Sequence, residues 1–216
     1  VFGPDIPIIG GVSVDNMKMI SCFQFVGEQI YEQGAVMYGF SDPSLEVISL
    51  GNHGFEVVGD PFKITRADED IIFELDGKPA WKRWTEKLGL PETSSASDVL
   101  VFAPLAIELP SEVHEEYGSR YLVYAALPRP DMSIYGILAL PEKGELWLTR
   151  RNESKILDGV ERLMVQILDR IEGRKPVAVF HADCAARGKL LFNQIIKEEI
   201  ISKLQYPLCR GEDIPW

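Results

Sequence analysis

Apolar and polar positions alternate along the first part of the chain in short runs broken by glycine, and settle into helical spacing only later. Ile20 to Phe25, Glu28 to Tyr31 and Ala35 to Phe40 are separated by Gly27 and Gly34, and Leu45 to Leu50 and Phe55 to Val58 follow. Runs of this length with turn residues between them predict an antiparallel meander. Pro61 to Arg66 and Asp70 to Leu75 extend it, with a turn expected at Ala67-Asp68-Glu69. Pro79 suits the first position of a helix, Ala80 to Leu88 carries Trp81, Trp84 and Leu88 on one face, and Gly89 ends it.

Beyond the helix, Pro91 to Asp98 reads as loop, and Val99 to Leu109, interrupted by Pro104, is compatible with strand or helix. Ser111 to Ser119 is polar and reads as loop. Arg120 to Leu127, Ser133 to Leu140 and Glu145 to Thr149 are predicted strands, with Pro128 to Asp131 and Pro141 to Gly144 as their turns. Asn152 or Ser154 can cap a long helix whose apolar face runs from Ile156 through Val160 and Met164 to Ile171, ended by Gly173. Val177 to Phe180 then reads as a strand. A polar turn follows, and a last helix shows in the spacing of Leu190, Leu191, Ile195, Ile196, Ile200, Ile201 and Leu204. Together these elements predict an α+β fold with mixed, mainly antiparallel sheets flanked by helices. Two lobes are expected, 1–92 and 93–216.

Composition narrows the function classes. The 216 residues carry 22 Lys+Arg against 33 Asp+Glu, a formal charge of −11. Nothing on that scale neutralises phosphates, which argues against nucleic acid and against an anionic membrane as partner. No apolar run approaches the roughly 18 residues that span a bilayer, so no membrane insertion is expected. Three scattered cysteines, Cys22, Cys184 and Cys209, form neither a disulfide framework nor a zinc motif, and a reducing cytoplasm fits them. Val1 opens without methionine, which fits a piece of a longer protein. Dinucleotide, P-loop, α/β-hydrolase, zincin and calcium motifs are absent from the sequence, and no cofactor or metal is expected.

Candidate chemistry gathers at the turn after Val177 to Phe180, where His181, Asp183, Cys184 and Arg187 precede the last predicted helix. A helix start offers unpaired backbone N–H groups and a positive dipole end. Arg187 is ill-placed there for helix stability. A guanidinium beside free N–H groups binds a carboxylate or phosphate well; the competing reading is a structural ion pair. Cys184 has two readings, a nucleophile with His181 as its base or a small buried packing residue. Gly10-Gly11 with Asp15 either lines a ligand cleft or makes a turn that needs glycine. His53 and His114 are expected in solvent-exposed loops.

Four stretches taken in order resemble a known family. Ile8-Ile-Gly-Gly-Val-Ser-Val-Asp15, with Phe25 to Gly34 and Ala35-Val-Met after it, resembles the glycine-rich strand and hairpin of the FIST sensory domain. Gly59 to Ala67, continuing through Phe73 to Ala80, looks like the end of that family's N-terminal half. Tyr135 to Arg151 with its helix also fits, and Val179 to Gly188 is similar to the family's "F-S-C-x-x-R-G" stretch. Ser13-Val14 replaces the small pair of the family's "G-G-x-A-G-D" pattern, and both family halves look truncated. The resemblance implies an intracellular signal-input domain for a small anionic or zwitterionic ligand, an amino acid or other small carboxylate, coupled to a signalling output domain or protein. Arg187 and Gly188 would hold the ligand together with Cys184, His181, Gly10, Gly11 and Asp15, and no catalytic residue is implied. A cysteine-dependent hydrolase or transferase centred on Cys184 and a protein-interaction scaffold are the alternatives.

Overall fold

A computed structural model describes residues 6–13, 20–32, 34–182 and 184. Two compact units divide it: residues 1–49 with 178–184, and the remainder. The fold is α+β, and every strand pairing among the described residues is antiparallel.

In the first unit, β1 (Gln24–Val26) and β2 (Gln29–Tyr31) form a hairpin. Gly27 turns it with φ 59, a conformation that suits glycine. The amide of Gln24 donates to Ser13 Oγ at 2.8 Å, and the Phe40 and Phe180 rings lie 6.1 Å apart. Three predicted strands are absent: residues 35–40, 45–50 and 177–180 pair with nothing described. An apolar run becomes a strand only when another strand completes its ladder, and local pattern carries no information about that partner.

The second unit is built on one nine-stranded sheet. Its strands are β3 (Phe55–Val57), β4 (Phe62–Asp68), β5 (Ile71–Leu75), β6 (Lys78–Pro79), β7 (Leu105–Glu108), β8 (Tyr121–Tyr124), β9 (Ala126–Pro128), β10 (Ile134–Gly136) and β11 (Glu145–Arg151). The order β8-β7-β11-β4-β5-β10-β9 puts β8 and β9 at opposite ends, although Ala125 alone separates them in the chain. The predicted strand over 120–127 is therefore one bent strand serving both ends, and the sheet comes round on itself. Ile137 N–H donates to the Ala125 carbonyl at 3.2 Å, and the Tyr124 hydroxyl to the Leu138 carbonyl at 2.9 Å. β3 and β6 extend the ring from β11 and β5.

Inward positions of these strands supply the core: Phe62, Ile64, Ile72, Leu75, Leu105, Tyr124, Ile134 and Leu146 are buried. Helix α1 (Ala80–Leu88) lies against β5 and buries Trp81 and Trp84, edge to face at 5.4 Å. The polar edges of both indoles are satisfied by carbonyls, Trp81 Nε1 donating to Glu92 at 2.8 Å and Trp84 Nε1 to Ala103 at 3.2 Å. Pro79 caps α1 and Gly89 ends it at φ 69.

The ambiguous stretch around Pro104 resolves into both readings, α2 (Ala96–Phe102) and then β7. The expected polar loop over 111–119 instead holds a 3-10 turn (Ser111–Val113) and α3 (His114–Tyr117). Pro110 and Gly118 frame it as start and stop signals, but so short a helix has no room for a periodic apolar face. Helix α4 (Glu153–Ile171) buries Ile156, Val160 and Met164 and is capped by Asn152, whose side chain accepts from Lys155 N–H. The last predicted helix lies outside the described residues. No described helix is long and apolar enough to cross a membrane.

Candidate functional site

Of the seven sequence-predicted site residues, Gly10, Gly11, His181 and Cys184 are described, and Asp15, Arg187 and Gly188 lie outside the described residues. The first unit brings two of the predicted stretches together: a β-carbon built on Gly11 would stand 3.8 Å from Ala182 Cβ. Neither Gly10 nor Gly11 has a positive φ, so the turn reading does not account for them. Gly10 faces open space. A side chain at Gly11 would thus make an ordinary contact with Ala182, and one at Gly10 would meet nothing.

Cys184 is exposed. That corrects the packing reading, because a thiol in solvent fills no core. His181 is exposed as well and already has an interaction. Within the first unit Gly11 approaches Ala182, Gln24 donates to Ser13 Oγ, and the Phe40 and Phe180 rings meet. The Cys184 thiol is reachable from solvent.

In the second unit the two loop histidines are partly buried and engaged, contrary to expectation. His53 Nδ1 accepts from Phe55 N–H at 2.9 Å, and its Nε2 stands 2.8 Å from the Tyr121 carbonyl and 3.0 Å from Ser119 Oγ. His114 Nε2 meets the Leu109 carbonyl at 2.8 Å. With Nδ1 accepting, the neutral His53 proton sits on Nε2, so the ring staples the 51–54 loop to the 119–121 turn. Both roles are structural.

Sequence reading also passed over a depression of about 430 Å3 on the ring, between β4, β7 and the turn leading into β11. Ile64, Ile107, Glu108, Lys143, Glu145 and Trp147 line it. The sequence signal was a lysine placed just before the turn glycine in Pro141-Glu-Lys-Gly144. Among the described residues no cluster of His, Cys, Asp or Glu has the makings of a metal site.

Comparison with known proteins decides the family. Residues 1–78 match the family model of the FIST N domain, and residues 80–210 that of the FIST C domain. The chain belongs to the FIST family. FIST domains are sensory domains of signal-transduction proteins. The FIST chain is also similar to an uncharacterized protein of Methanocaldococcus jannaschii, with 32% identity over 83 residues, or 38% of this chain. The match spans 16% of that relative's length. No solved structure matches.

Proposed function

We propose that this FIST chain is a cytoplasmic input domain that binds a small anionic or zwitterionic molecule, an amino acid or other small carboxylate. The observation that carries the reading is the presence of both FIST segments, in order, along one chain. Arg187 holds the ligand's acidic group, the backbone around Gly188 donates to it, and His181, Cys184 and Asp15 border it. The open space at Gly10 and the approach of Gly11 to Ala182 support a ligand beside this stretch. Binding favours one arrangement of the chain, and an attached output domain or partner protein reads the difference.

Thermal-shift titration of the intact protein with an amino-acid and small-carboxylate library tests this reading. At least one compound is expected to raise Tm, with the response lost in Arg187→Ala. No stabilisation by any of them sinks the proposal.

Exposure of Cys184 favours a second reading, a cysteine-dependent hydrolase or transferase. It requires Cys184 to be alkylated selectively over Cys22 and Cys209 at neutral pH. Equal, slow labelling of all three removes it.

A further inference from the structure

The depression on the ring has the size of a small-molecule site, which ranges over about 300–1,000 Å3. Its rim turn is closed by Gly144 N–H donating to the Pro141 carbonyl at 3.1 Å. Within that turn Lys143 sits at φ 69, the left-handed region that favours glycine. A lysine held there, with a glycine next to it, is a local sacrifice of backbone comfort, and such sacrifices gather where a side chain has a task.

The charges around the depression are unevenly satisfied. Glu108 is occupied by Arg120, whose Nε and Nη2 lie 2.7 and 2.6 Å from its Oε1. The Lys143 ammonium and the Glu145 carboxylate have no ion pair or hydrogen bond to any described residue. The indole N–H of Trp147, in the wall, is buried without an acceptor among the described residues, and its ring stands edge to face with Tyr121 at 5.5 Å. A simple anion would face Glu145 and a simple cation would face Lys143. A molecule with an acid, an amine and an apolar body matches both charges over the Ile64 and Ile107 floor.

We propose that this depression is a second ligand site, taking a small zwitterion with an apolar body: Lys143 binds its acidic group and Glu145 its amine. The proposal rests on reading the chain as a ligand-binding sensory domain, but builds a site on the sheet of the second unit from residues other than those of the 181–188 stretch.

The test uses three matched probes, 6-aminohexanoate, hexanoate and hexylamine, added to the intact protein while the Trp147 indole N–H resonance is followed by NMR. The zwitterion is expected to shift that resonance and to bind up to about fivefold more tightly than either singly charged probe, as an exposed ion pair allows. Lys143→Gly is the decisive variant, because glycine suits φ 69; its Tm should hold or rise while its affinity for 6-aminohexanoate falls several-fold. Glu145→Gln should weaken binding similarly. Unchanged binding in both variants, or a still Trp147 resonance with every probe, overturns the proposal. Should 6-aminohexanoate instead perturb only amides of residues 181–188, the ring site is refuted while the sensory reading survives.

Discussion

A β-carbon built on Gly136 would lie 1.6 Å from the Tyr124 hydroxyl oxygen. Tyr124 is buried, and burial, reinforced by the negative charge of Asp70, pushes its phenol up to about 12, so it stays a neutral donor to the Leu138 carbonyl. Gly136 is thus required for space, its φ being ordinary. Gly136→Ala should cost about 1–3 kcal/mol through overpacking, seen as a lower urea midpoint. A strand glycine can mark a close approach, but which side chain approaches was not legible in the sequence, because Tyr124 reaches Gly136 only once the ring has formed. The candidate site divides the same way. Gly10, Gly11, His181 and Cys184 stood out by residue type, whereas Lys143 showed in the sequence only as a lysine before a turn glycine and gained meaning from its backbone angle.

Helix α1 was legible nearly to the residue. Pro79, the spacing of two tryptophans and Gly89 are local signals, and local signals decide a helix's ends. Helix α4 shows the same economy, with Asn152 Oδ1 accepting from Lys155 N–H at 3.2 Å. Asn152→Ala should cost about 1 kcal/mol through the lost cap. Asn152→Asp keeps the cap but sets a second carboxylate against Glu56 in place of a donor, so it should also destabilise at neutral pH and recover as pH falls; thermal denaturation of the pair checks this. Glu56 on β3 meets the same helix start. Hydrogen bonds first from Lys155 and then from Asn152 hold its carboxyl down to about 2, against an ordinary 4.5. A depressed carboxyl stabilises the fold fully above its ordinary value, and that contribution is lost as pH falls toward 2. Glu56→Gln should therefore flatten the acid limb of a stability–pH curve between those values, measured by chemical denaturation. Strands were less legible than helices for a plain reason. Residues 35–40 and 177–180 have strand-like composition, yet pairing is a property of two segments, and neither pairs with another strand among the described residues.

At the scale of the molecule, burial is lopsided. No described residue of 6–49 or 178–184 is buried, while the second unit holds the entire described core. Amide protection follows burial and hydrogen bonding. In hydrogen-exchange mass spectrometry the first unit's described segments should exchange orders of magnitude faster than β4, β5 and β11, and similar rates in both would contradict the assignment. The α+β class and antiparallel pairing followed from short runs and turn residues. Ring closure did not, since an apolar run over 120–127 says nothing about bending at Ala125 to serve both ends of a sheet.

That closure sets a timetable for synthesis. β4 pairs with β11 through Phe62 and Leu146, and β5 with β10 through Ile72 and Ile134. A ribosome adding about 5–20 residues per second releases β4 and β5 well before their partners exist. Until β11 has left the exit tunnel, the outer flank of that early hairpin offers bare N–H and C=O groups to any passing strand. The chain's most dangerous interval is thus its own translation, and a chaperone's hold matters most between the emergence of Leu75 and that of Arg151.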